Sequence, residues 1–160
     1  MKKTILFRTA NGTVATLFMN KASQVIRDKG LAPGGDAQTF HTQNVLRRIV
    51  KYMPFLFGQM IKLTQIQTDI RVPEIVTDAP QAEYLFEGLK MVDPKINASG
   101  FMTPEGWRSR RGCVKVLTGT PLEYTKTKNK LAGPHWDEAL SAAEGRAMAA
   151  DLQRYQARKG

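Results

Sequence analysis

Between Gly106 and Lys130 the chain reads GWRSRRGCVKVLTGTPLEYTKTKNK, and seven of these residues are basic against one acid. Arg108, Arg110, Arg111, Lys115, Lys126, Lys128 and Lys130 are interleaved with Trp107 and Tyr124. Guanidinium groups fork onto phosphate oxygens and stack on flat rings, ammonium groups supply point charges, and aromatic rings stack on unpaired bases. The mixture predicts a polyanion-binding surface whose contacts are Trp107, Arg108, Arg110, Arg111, Lys115, Lys126, Lys128 and Lys130. The acids near enough in sequence to neutralise it are only Glu105 and Glu123. Arg47 and Arg48, on the outer face of a predicted helix, join the candidate set. RNA fits better than DNA, because no helix-turn-helix, zinc-finger or basic-zipper pattern is present.

Catalytic chemistry has thinner support. Cys113 with His41 or His135 as base and Asp137 as orienter is the best nucleophilic set available, yet His135 and Asp137 fall in the first turn of a predicted helix and nothing local activates the thiol. A small buried thiol is the expected role of Cys113. Two isolated histidines and one cysteine form no CxxC or HxxxH pair, so no metal is expected, and the serine-hydrolase elbow G-x-S-x-G does not occur. The glycines of Gly30–Asp36, GLAPGGD, lack the Lys and Ser or Thr that a Walker loop needs after its last glycine. The sequence therefore predicts no enzyme and no cofactor.

The elements that must position the basic stretch follow from periodicity and punctuation. TILFRTA, residues 4–10, reads as a strand that stops at Asn11-Gly12. Beyond it, a hairpin return through TVATLFM competes with a helix, and the helix is preferred because Val14, Leu17, Phe18, Ala22, Val25 and Ile26 form one stripe that Gly30 terminates. Asp36 is expected to cap a helix running to Met53, with Val45, Leu46, Ile49 and Val50 inward and Arg47, Arg48 and Lys51 outward. The alternation of Ile66, Thr68, Ile70 and Val72 predicts a central strand over 62–72. Asp78 and Pro80 open a helix ending near Asp93-Pro94, with Ala82, Leu85, Phe86 and Leu89 on one face. Residues 94–112 read as a long loop, Val114 to Leu117 as a short strand, and 119–133 as irregular. Pro134 opens a helix to residue 158, acidic at its start and basic at its end. Its stripe of Trp136, Leu140, Ala143, Ala147 and Leu152 is expected to dock on a neighbouring protein.

These elements make an α/β or α+β fold: a small mixed sheet with packed helices, extended basic loops and a long C-terminal helix. At 160 residues the chain fits a single domain over 1–160, with a basic N-terminal segment (1–29), a basic loop region (94–133) and the helix at 134–158. Net charge is +10, and it is unevenly placed: residues 1–68 carry +8, 69–93 carry −4, 94–130 carry +6 and 131–160 are neutral. Such alternation suits a subunit wedged into an assembly. One cysteine permits no intramolecular disulfide, so a reducing intracellular compartment is expected. Before Asp28 the chain has bases but no acid, which fits either a retained mitochondrial targeting segment or a binding arm. The apolar run Ile49–Ile66 is broken by Lys51, Pro54 and Lys62, so no transmembrane segment is predicted. The first expectation is a structural, RNA-binding component of a ribonucleoprotein, a ribosome before others and organellar ribosomes included. An accessory subunit of a membrane-bound, respiratory-type complex is the alternative, and a phage structural protein is the third.

Overall fold

A computed structural model describes residues 2–8, 14–19 and 21–159. Its architecture combines helices with small antiparallel sheets and ends in a long helix, as the sequence predicts. The order is β1 (Lys2–Arg8), β2 (Val14–Met19), α1 (Ala22–Asp28), α2 (Asp36–Ile49), α3 (Gln59–Gln67), α4 (Ala82–Glu87), β3 (Leu89–Val92), β4 (Phe101–Thr103), β5 (Gly106–Arg108), β6 (Val116–Pro121) and α5 (Trp136–Ala157). The strands form three separate antiparallel pairs, β1–β2, β3–β6 and β4–β5, and are not gathered in one sheet.

α2 and α5 run antiparallel and form the centre of the fold. Phe40 stacks on Tyr155 with ring centroids 4.3 Å apart, Asn44 donates to Asp151 at 3.0 Å, and the Tyr52 hydroxyl donates to Glu144 at 2.9 Å, so numbers rise on one helix as they fall on the other. On α5, Trp136, Leu140 and Met148 recur at multiples of four residues and are buried, together with Ile49, Tyr52, Met53, Met60 and Ala79. That stripe is this chain's own core. Of the stripe predicted to dock on a neighbour, Trp136 and Leu140 are therefore internal, whereas Ala143 and Ala147 are exposed.

Four sequence expectations are corrected. The helix expected from Val14 onward is instead β2, paired with β1 in a register that sets Lys2 against Met19 and Arg8 against Val14. The partner strand supplies the hydrogen bonds that decide between the two periods. Helix is confined to α1, which is exposed throughout, and the Asn11-Gly12 turn lies outside the described residues. The strand expected over 62–72 is helix α3 as far as Gln67, because burial follows Met60, Thr64 and Thr68 at four-residue spacing and leaves Ile66 outside. Gly58 starts it at φ 74, where a Cβ would lie 2.8 Å from the Phe55 ring. The helix expected to reach Asp93 stops after Glu87 at Gly88, whose φ is 72, and the chain continues as β3. Finally, the helix from Asp36 ends at Ile49 and not Met53, and its N-cap is Gly35.

Two side chains close the gaps between these pieces. Asn129 donates to the carbonyls of Val50 at 2.7 Å and Met53 at 2.8 Å, satisfying acceptors left open past the end of α2. Tyr124 donates its hydroxyl to the Leu85 carbonyl at 2.6 Å, holding the segment after β6 against α4.

Candidate anion-binding and partner-binding surface

The basic stretch is built on β5, β6 and the connection between them. The region 94–112, read as a loop, contains a hairpin: β4 pairs with β5, setting Phe101 against Arg108, Met102 against Trp107 and Thr103 against Gly106 across the turn Pro104-Glu105. Trp107 is half exposed. Its indole crosses Gly100 so closely that a Cβ there would lie 2.2 Å from Cζ2. The Lys115 ammonium sits 5.3 Å from the Trp107 ring centroid and donates to the Ser99 carbonyl at 2.7 Å. Trp107 and Lys115 are thus brought together as a cation–π pair. Arg108 follows Trp107 on the strand, so it points to the other face of the ribbon.

Arg110 already has an anionic partner within the chain. It forks onto the buried Asp93 carboxylate, Nε to Oδ2 at 2.7 Å and Nη2 to Oδ1 at 3.1 Å. Asp93 also accepts from the Lys95 backbone N–H at 2.9 Å. Burial alone would raise the Asp93 carboxyl, but hydrogen bonds from Cys113, Lys95 and Arg110 outweigh it and hold the group below its ordinary value. The same bond to Asp93 raises Arg110. Cys113 therefore has a place beside an ion pair. His135 lies far along the chain at the start of α5, where its ring meets Phe86 edge-on at 5.0 Å.

Arg48 is likewise paired within the chain. Its guanidinium bridges Glu144 and Asp151 of α5, the latter at 2.7 Å, and its Nε donates to Asn44 at 3.1 Å. Lys51 reaches Glu144 at 2.5 Å. Hydrogen bonds from Lys51, Arg48 and Tyr52 lower Glu144 to about 2, and those from Arg48, Asn44 and Arg154 lower Asp151 to about 2. Arg47 is exposed and donates to the Asn44 side chain at 2.9 Å. Sequence reading missed Glu144 and Asp151. They stand seven residues apart, two turns on one helix face, and match the spacing of Asn44 and Arg48 on α2 and Lys51 just past its end.

Arg108, Arg111, Lys126, Lys128 and Lys130 are exposed and form no ion pair among the described residues. Lys128 and Lys130 flank Asn129, whose side chain is tied to the carbonyls just past α2, and Lys126 lies three residues before it. Within the candidate set, Arg48 and Arg110 are thus paired with acids of the same chain. In comparisons with protein families, curated proteins and solved structures, nothing matches this chain.

Proposed function

We propose that this chain is a structural subunit of a large multi-subunit particle, held in place chiefly by contacts with neighbouring proteins. The observation that carries the reading is the number of bulky apolar side chains left exposed: Leu56, Phe57, Ile66, Met102 and Val114 are each 70–83% exposed, and each of the three sheets among the described residues has only two strands. Isolated apolar residues are ordinary on a monomer. Bulky ones exposed on several elements of a chain with two-stranded sheets are surfaces that neighbours cover. No described helix is long and apolar enough to cross a membrane, and the Ile49–Ile66 run divides between core residues such as Met53 and exposed ones such as Phe57. Among the particles the sequence brings forward, one built mainly of protein, such as a phage particle, agrees with these surfaces better than a membrane-bound complex does. No catalytic role is assigned to Cys113 or the histidines.

A second reading, an RNA-contacting subunit of a ribonucleoprotein such as a ribosome, is favoured by the exposed Arg108 and Arg111 beside Trp107 and Lys115. The deciding experiment isolates the native particle and measures its RNA content, then titrates salt on the chain with that particle's nucleic acid. Under the RNA reading, Arg108→Ala with Arg111→Ala reduces the slope of log affinity against log salt by about 1.4–1.8, at about 0.7–0.9 per phosphate contact. A particle without RNA, together with an unaltered slope, leaves the protein-assembly reading. A chain that sediments alone in every extract refutes both.

A further inference from the structure

Between α2, α4 and α5 lies a groove of about 820 Å³ whose apolar walls include Val45, Ile49, Phe86, Trp136, Leu140 and Met148. Glu83, Glu87 and Asp137 stand at the same groove, are exposed, and form no ion pair among the described residues. His41 is part of the wall, and its Nδ1 is buried without a hydrogen-bond partner among the described residues. An unbalanced acidic rim around an apolar floor is unexpected on a chain of net charge +10. It selects an occupant with an apolar anchor flanked by cations.

This chain carries such a segment. Val114 is 83% exposed and stands between Arg111, exposed and unpaired, and Lys115. No residue of 106–130 lines the groove, so the segment does not fill the groove of its own molecule. We propose that the groove takes the Arg111–Lys115 segment of a second copy of this chain, with Val114 on the apolar floor and Arg111 among the three carboxylates. The contact is between unlike surfaces, so if each copy uses both, it builds a ring or an open array and not only a pair. This self-association rests on the assembly-subunit reading and gives it one of its contacts.

Sedimentation velocity of the full chain at about 1–100 µM, in low and high salt, tests it. The wild type should associate at low salt and weaken at least about tenfold near 0.5 M salt, where the Debye length falls to about 4 Å. Glu83→Gln with Glu87→Gln should abolish growth, and Arg111→Gln with Val114→Ser should do the same. All four residues are exposed, so the variants should keep the wild-type circular dichroism spectrum. Mixing the two variants should restore a 1:1 complex that grows no further, since each supplies the surface the other lacks. A wild type that stays monomeric, or association indifferent to either variant, overturns the proposal. Incorporation separates this from the broader reading: a monomeric wild type that still enters the native particle overturns only the self-contact, whereas a wild type that enters no particle overturns the assembly reading and this contact with it.

Discussion

Arg48→Met should destabilise the fold measurably even though Arg48 reads as a surface residue. The guanidinium is 19% exposed as a side chain, and its two carboxylate partners are 15% and 18% exposed. Hydrogen bonds to charged groups are worth about 1.5–3 kcal/mol each when partly buried. The two to the carboxylates are lost together with the Arg48 bond to the Asn44 side chain, but Lys51 still reaches Glu144 and Asn44 still reaches Asp151, so the expected net loss is about 2–3 kcal/mol at pH 7. For a chain of this size that corresponds to a fall of about 4–12 °C in melting temperature. Urea unfolding followed by circular dichroism reads it directly.

The pH dependence makes the same prediction sharper. Glu144 and Asp151 are each lowered to about 2 in the folded chain. A carboxylate depressed by folding contributes stability above its unfolded value and loses it as pH falls through the folded one. Wild-type stability should therefore decline from about pH 5 toward pH 2. Arg48→Met, whose two carboxylates return toward ordinary values, should converge on the wild type over that window. A difference under about 0.5 kcal/mol at pH 7 would place the pair among surface ion pairs of no net worth. A difference that stays constant down to pH 2 would refute the electrostatic origin and assign the loss to packing.

Other perturbations test neighbouring parts of the argument. Gly100→Ala sets a Cβ 2.2 Å from Trp107 Cζ2 and 2.5 Å from the Arg108 carbonyl, so the indole must leave the hairpin; a shifted tryptophan emission maximum is expected, and unchanged emission refutes the close crossing. Asp93→Ala should lower the melting temperature and free Arg110, so that if the chain binds RNA the salt slope rises by about 0.7–0.9; a lower slope would mean that the hairpin itself has collapsed. Leu140→Asp should prevent folding, at a cost of about 4 kcal/mol or more for a charge in the core, and a folded, assembly-deficient variant would return Leu140 to an outer face.

The C-terminal helix was legible because its determinants are local: Pro134 ahead of the first turn, Asp137 and Glu138 at the start, and apolar residues at helical spacing. The observed bounds, Trp136–Ala157, differ from the expected ones by two residues at one end and one at the other. Local information failed where two periods fit the same residues. Val14, Leu17 and Phe18 satisfy a helix stripe, but β1 lies alongside and supplies a ladder. Ile66, Thr68 and Ile70 satisfy a strand alternation, but the buried set is Met60, Thr64 and Thr68.

The candidate site is legible only in part, because neutralisation occurs in space and not along the chain. Arg110 meets an acid 17 residues away, and Arg48 meets acids 96 and 103 residues away. Neither partner is visible to a search for acids near the basic stretch. What is left without an ion-pair partner among the described residues is a different pattern: cations at Arg108 and Arg111, near the exposed Val114 in sequence, and carboxylates at Glu83, Glu87 and Asp137 around an apolar groove. A polyanion would answer only the first of these. A basic protein surface with an apolar anchor would answer the second, and under the proposed self-contact two copies of this chain would answer both.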